Sequence, residues 1–309
     1  MLDPGLSFLL AALGEQSPEV GAPDVDRHRA AMRSLIAQLN ADREPPADLS
    51  IESIVLANNS LPARLYSPHS TGPDAPLVLF LHGGGFVFGD LETHDIFCRR
   101  LAVASEAKIV SLAYRLAPEH PFPAAHDDGW AALLDLPSRA KEIGFDPQRF
   151  ILCGDSAGAT LATVLTHFAR DRQGPLVRAQ ILLCPSTDFA GSHASRIHFG
   201  EGYLLSNAEI SWCLDQFLPA GVSPADPRVS PLHAEDLTNL PPALVVTAGF
   251  DPLQDEGRLY AERLDAAGNE VELLHFSDLI HGFNLFDAVS PAAATAVAMI
   301  GDKIRSLSK

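Results

Sequence analysis

The sequence predicts an α/β fold: a mostly parallel eight-stranded sheet with helices on both faces and a helical cap. Three observations carry that reading. Short, nearly continuous apolar runs alternate with helical patterns from Leu77 onward, the rhythm of strands covered on both faces by helices. One such run, Phe150-Ile151-Leu152-Cys153, leads into Gly154-Asp155-Ser156-Ala157-Gly158 and then a helical pattern with Leu161, Val164, Leu165 and Phe168 on one face. Two stretches, 1–45 and 186–220, stand outside the rhythm and carry amphipathic helices of their own.

In chain order, helices are expected over 6–13 and 25–39, the second with Ala30, Met32, Leu35, Ile36 and Leu39 as its apolar face, and Pro45-Pro46 ends it. The runs 51–56 and 61–66 flank Asn58-Asn59, a turn dipeptide, and predict a hairpin that starts the sheet. Strand 77–81 runs into His82-Gly83-Gly84-Gly85-Phe86; helix 95–106 and strand 108–113 follow. A helix over 124–136 is interrupted at Pro137, before strand 150–153, helix 157–170 and strand 180–184. From 186 to 240 the rhythm lapses into Pro-, Ser- and His-rich loops around one helix, 207–217. It resumes with strand 243–247, helix 255–267, strand 270–275 and a closing helix over 291–307. The expected division is a catalytic domain of 46–185 and 221–309, with a cap of 1–45 and 186–220.

Composition narrows the function. At 309 residues and 33.0 kDa the chain buries a large core, and 39 Asp+Glu against 22 Lys+Arg leave a net charge of −17. Nucleic acid is therefore excluded as a partner, and an anionic membrane surface would repel the chain. No run is long enough to insert into a bilayer. Four widely spaced cysteines predict a reduced compartment, and the apolar stretch 6–13 lacks a preceding cationic segment, so a cytoplasmic location is expected. A homodimer is the one protein partner left open.

The chemistry starts from Ser156. A strand-turn-helix passage with glycines on both sides of a serine is the nucleophile-elbow pattern, although the same residues would also serve as a structural turn. A serine hydroxyl is a poor nucleophile without a base, an acid to orient it and donors for the resulting oxyanion. Asp251 and His281 follow successive predicted strands, giving the order Ser156, Asp251, His281 expected of an α/β-hydrolase. The amides of Gly83, Gly84 and Ala157 are the expected oxyanion donors, and His82 and Gly85 shape the loop. Glycine-rich as it is, 82–86 fits neither a P-loop nor a dinucleotide fingerprint. Asp155 reads as a stabiliser of the helix start.

With His82-Gly83-Gly84-Gly85, 114–125 (Tyr-Arg-Leu-Ala-Pro-Glu-His-Pro-Phe-Pro-Ala-Ala), 154–158, Asp251-Pro252-Leu253 with Asp255-Glu256-Gly257, and His281-Gly282-Phe283 in this order, the chain resembles the hormone-sensitive-lipase-like bacterial carboxylesterases. The resemblance covers nearly everything after residue 75. It implies hydrolysis of short- to medium-chain esters through an acyl-enzyme, neither metal nor cofactor, and a small-molecule ester as the partner. Two departures stand out: Gln254 where an arginine is common, and Ser277-Asp278 in place of Pro-Gly. Phe86, Tyr203, Leu204, Leu205, Trp212, Phe217 and Phe283 are the candidate acyl pocket, with Phe8 and Leu9 contributing apolar surface from the first helix. Amidase, peptidase or acyltransferase chemistry with the same triad, or a non-catalytic ligand-binding relative, are the alternatives.

Overall fold

The computed structural model describes residues 1–14, 24–57 and 60–309. The turn expected at Asn58-Asn59 lies outside them. Eight strands form one sheet: β1 Leu49–Leu56, β2 Leu61–Pro68, β3 Ala75–Leu81, β4 Lys108–Leu112, β5 Phe145–Asp155, β6 Ala179–Leu183, β7 Ala243–Phe250 and β8 Val271–Ile280. Their order is β1-β2-β4-β3-β5-β6-β7-β8; β1-β2 and β2-β4 are antiparallel, and every other pairing is parallel. The carboxyl ends of β3, β5, β7 and β8 therefore lie along one edge of the sheet. Ligands bind at this edge in open α/β sheets.

Strand β3 shows why the apolar runs are unbroken. Leu77, Leu79 and Leu81 point into a core with helices α4 (Ala124–Ser138), α6 (Ala157–Asp171) and α9 (Gln254–Ala266), while Val78 and Phe80 point into a second core with α3 (Asp95–Ser105) and α10 (Pro291–Leu307). All five are fully buried. Each such side chain contributes about 1.5–3 kcal/mol, so both faces favour the central strands.

Outside the sheet and its flanking helices lie α1 (Pro4–Gly14), α2 (Val25–Leu39), α7 (Ala194–Phe199) and α8 (Asn207–Phe217). The six-residue α7 falls in the stretch expected to be loop, because a helix of one and a half turns shows no period. Side-chain contacts with the α9 region hold it: Ser195 N–H donates to Asp255 Oδ2 at 2.8 Å, Ser195 Oγ–H to the Pro252 carbonyl at 2.8 Å, and Arg196 Nη2 to Glu256 Oε2 at 2.8 Å. A short helix, α5 (Ala140–Ile143), follows α4, which runs through Pro137 to Ser138. A proline so near a helix end removes only one internal hydrogen bond. The last strand also exceeds its apolar run. β8 continues through Ser277-Asp278, with a bulge opposite Gly249, where a Cβ would sit 2.3 Å from the Ser277 carbonyl. No helix among the described residues is long and apolar enough to cross a membrane.

Candidate active site

Ser156 follows β5 and opens α6 with φ 53° and ψ −121°, a conformation rarely held by a non-glycine residue. Two glycines make the turn possible. A Cβ on Gly154 would meet the Gly158 carbonyl at 2.2 Å, and one on Gly158 would meet the Leu81 carbonyl at 2.0 Å, so α6 can close onto β3 only without them. The Ser156 N–H donates to Leu183 O on β6 at 2.8 Å and ties the turn to the sheet.

His281, just past β8, stands with Nε2 2.9 Å from Ser156 Oγ and Nδ1 2.9 Å from Asp251 Oδ2. Asp251 has no exposed surface, and its Oδ1 accepts the Leu253 N–H at 2.8 Å. Burial would lower the imidazole pKa, but Asp251, with Asp155 and Glu209 beyond it, raises it above the ordinary histidine value. Cys184 also lies here, its sulfur within 4.8 Å of donor atoms of Asp251 and His281. That cluster is a poor metal site. Both imidazole nitrogens already have partners, and burial pushes the Cys184 thiol well above its usual pKa, so the thiolate a metal needs is disfavoured. Asp255, the other aspartate in the stretch after β7, instead receives the Ser195 amide of α7.

The glycine loop departs from expectation by one residue. Gly83 N–H donates to Asp155 Oδ1 at 2.8 Å, and a Cβ there would lie 2.6 Å from Asp155 Oδ2. Its amide is thus already committed. Among the described residues no acceptor meets the amides of Gly84, Gly85 or Ala157, which line the same cavity as Ser156. Gly85 therefore joins the candidate donors and Gly83 leaves them. Asp155 does more than stabilise a helix start: it bridges elbow to glycine loop and takes His94 Nε2 at 3.4 Å. Burial alone would raise its pKa, yet His94, His82 and the Gly83 amide bring it below the ordinary carboxylate value. A buried carboxylate demands such partners, and a sequence does not say which amide supplies them. His82 is scaffold. Its Nδ1–H donates to its neighbour's carbonyl, Gly83 O, at 2.8 Å, its ring stacks on Tyr114 at 4.3 Å, and burial lowers its pKa to about 4.

The cavity above Ser156 has a volume of about 290 Å³. Of the expected pocket residues only Leu204 and Leu205 line it; Phe88, Phe189, Ile210 and Phe286 supply other apolar wall. The remaining five pack elsewhere. Phe86 stacks on Phe217 at 4.0 Å, joining the glycine loop to the end of α8, and Trp212 stacks behind Phe88 at 5.5 Å. Tyr203 sits against Phe250 at 5.2 Å, and Phe283 is buried against Phe276 at 5.7 Å. Large aromatic rings gain more by filling the seam between cap and body than by walling an open space. In α1, Phe8 is 78% exposed while Leu9 is buried in the second core, so neither reaches the cavity. From α2, His28 and Met32 do. Arg29 fastens α2 by donating to the carbonyls of Val87 and Ala117, both at 2.9 Å, and to Glu119 Oε1 at 2.7 Å.

A buried carboxylate, an imidazole and an elbow serine in hydrogen-bonded series, beside unpaired amides at the carboxyl edge of a parallel sheet, define a site of the serine-hydrolase kind. Known proteins similar to this chain bear on its family. Residues 78–285 match the family model described as alpha/beta hydrolase fold. Carboxylic ester hydrolase LipN of Mycobacterium tuberculosis is 43% identical over 303 residues, covering 95% of this chain and 80% of LipN. Ethyl acetate hydrolase of Pseudomonas putida is 33% identical, covering 92% of this chain and 91% of its own. The solved structure of the Pyrobaculum calidifontis esterase superposes with a TM-score of 0.92 at 37% identity, covering 99% of each chain. The chain belongs to the hormone-sensitive-lipase-like carboxylesterase family of the α/β-hydrolase fold.

Proposed function

We propose that this carboxylic ester hydrolase works through an acyl-enzyme on Ser156 and takes short- to medium-chain acyl groups. The observation that carries the reading is the unbroken series Asp251 to His281 to Ser156, at 2.9 Å per link, opening into the apolar cavity. Asp251 accepts the Nδ1–H and so leaves Nε2 as the base. Nε2 takes the Ser156 proton as Oγ bonds to the ester carbonyl carbon, and the carbonyl π electrons move to oxygen. The amides of Gly84, Gly85 and Ala157 receive that oxyanion at the positive end of α6. As the tetrahedral intermediate collapses, the carbon–oxygen bond to the alcohol breaks and the imidazolium protonates the leaving oxygen. Water then repeats the sequence on the acyl-enzyme, releasing the acid and restoring Ser156.

The chain-length range rests on the modest size of the cavity, about 290 Å³, with α2 and α8 in its wall, and it is consistent with the ethyl acetate hydrolase among the relatives. Each extra methylene that finds room contributes about 0.8 kcal/mol, and one that finds none contributes nothing or clashes. The test is kcat/KM on nitrophenyl esters from acetate to palmitate, with matched amides beside them. The expected profile is highest among the shorter esters and falls steeply toward palmitate, with amides far slower. No ester turnover would remove the serine-esterase mechanism. A palmitate maximum would remove the chain-length reading, and faster amides would make the enzyme an amidase.

A further inference from the structure

Helix α8 begins with Ser206-Asn207-Ala208-Glu209, a pattern in which serine and glutamate ordinarily cap each other. Half of that box is present: the Glu209 N–H donates to Ser206 Oγ at 3.1 Å. The reciprocal bond, from the Ser206 N–H to the Glu209 carboxylate, is missing. The side chain instead lines the cavity beside Ser156 and His281, and among the described residues nothing forms a hydrogen bond or ion pair with it. Burial raises the Glu209 pKa above the ordinary carboxylate value, and the nearby His281 offsets only part of that rise.

The rest of the wall sharpens the point. No lysine or arginine among the described residues lines this cavity. Of the other ionisable groups there, Asp155 is tied to Gly83 and His94, and burial depresses the pKa of His28 on α2, favouring its neutral form. Burial pushes the Cys213 thiol up, which leaves it protonated, and His281 is held by Asp251 and Ser156. Phe88, Phe189 and Phe286 present aromatic surface to the same space. A carboxylate without a hydrogen-bonded partner, among aromatic rings and with no lysine or arginine beside it, is an environment a ligand cation completes; the one basic group that acts on it, His281, is already held by Asp251 and Ser156.

We propose that Glu209 makes this enzyme select esters whose acyl or alcohol part bears an alkylammonium group, which sits against the carboxylate while the carbonyl lies at Ser156. The inference rests on the esterase reading above. The test uses acetylcholine and its uncharged carbon isostere, 3,3-dimethylbutyl acetate, with the intact enzyme and with Glu209→Gln. Wild type is expected to favour the cationic ester in kcat/KM by about tenfold, the size of one charge pair in a partly dry cavity, and Glu209→Gln to bring the ratio near one. A second reading needs no variant. Ionisation of His281 affects both substrates alike, so the wild-type ratio, followed from pH 5 to pH 8, is expected to rise with pH as Glu209 ionises. A ratio unchanged in Glu209→Gln, a ratio flat with pH, or a wild-type preference for the uncharged ester would each overturn the assignment. Turnover of the uncharged ester reports separately on the esterase reading.

Discussion

On one side of the cavity, the elbow and glycine loop are held by backbone packed so closely that single methyl groups would collide; on the other, α2, α7 and α8 are held by side chains reaching across a seam. Gly154, Gly158 and Gly249 face backbone atoms of α6 or of the sheet within 2.0–2.3 Å of a would-be Cβ. Helices α2, α7 and α8 hang instead on Arg29, on Arg196 with Glu256, and on the Phe86–Phe217 and Phe88–Trp212 stacks. Chemistry is thus built where position is over-determined, and access is built where exchanging one side chain changes the shape. The first region should tolerate little and lose turnover; the second should tolerate much and change selectivity.

The sharpest way to break this contrast is Ser156→Ala, expected to lower kcat by roughly 10⁶ while leaving the melting temperature within a few degrees of wild type. Turnover near wild type would remove the nucleophile from the backbone-held side. Next comes Asp251→Asn, expected to lower kcat by about 10⁴, because the amide does not hold the productive tautomer. The same variant should move the acid limb of kcat/KM to lower pH: Asp251 raises the His281 pKa, His281 must be neutral to accept the serine proton, and activity therefore rises with pH through that pKa. Asp255→Asn, by contrast, touches only the α7 anchor, and a loss of equal size there would show that the acid had been misassigned.

Gly84→Val probes the loop. Gly84 has φ +114°, and a Cβ would lie 2.6 Å from the Phe88 carbonyl carbon and oxygen, so the loop must shift and the oxyanion donors with it. Loss of donor alignment is expected to lower kcat by about 10²–10³, read against near-UV circular dichroism of the same sample. Smallest of all, Arg29→Ala should reduce stability by about 1–3 kcal/mol and change the ratio of butyrate to octanoate ester turnover severalfold, with kcat on acetate little altered. A large loss on acetate would mean that the cap also holds the chemistry.

What the sequence made legible follows the same division. The order of strands and helices, the helix boundaries at 157 and 207, and the positions of Ser156, Asp251 and His281 at strand ends were readable, because strand period, turn chemistry and chain order are local signals. The cavity wall was not. Leu204 and Leu205 reach it while Tyr203 and Trp212 turn away, and residues on adjacent or same-face positions offer no rule for that choice. The shift from Gly83 to Gly85 among the candidate donors depends on which amide Asp155 captures, a contact across 72 residues. Helix α7 was invisible for a related reason, since it is ordered by Asp255 and Glu256 rather than by its own six residues.

Strand topology also sets when the site can exist during folding. Ser156, Asp251 and His281 leave β5, β7 and β8, and the glycine loop leaves β3; β6 lies between β5 and β7, so five parallel strands must be paired in register before serine and imidazole meet. Every one of those pairings closes a long loop, which makes them slow to form compared with the local turns of α2, α6 or α10. On dilution from denaturant, helical circular dichroism should therefore recover well before ester turnover. A nascent or partly refolded chain is consequently inert toward the esters around it, and hydrolysis begins only once the edge strand β8 has docked.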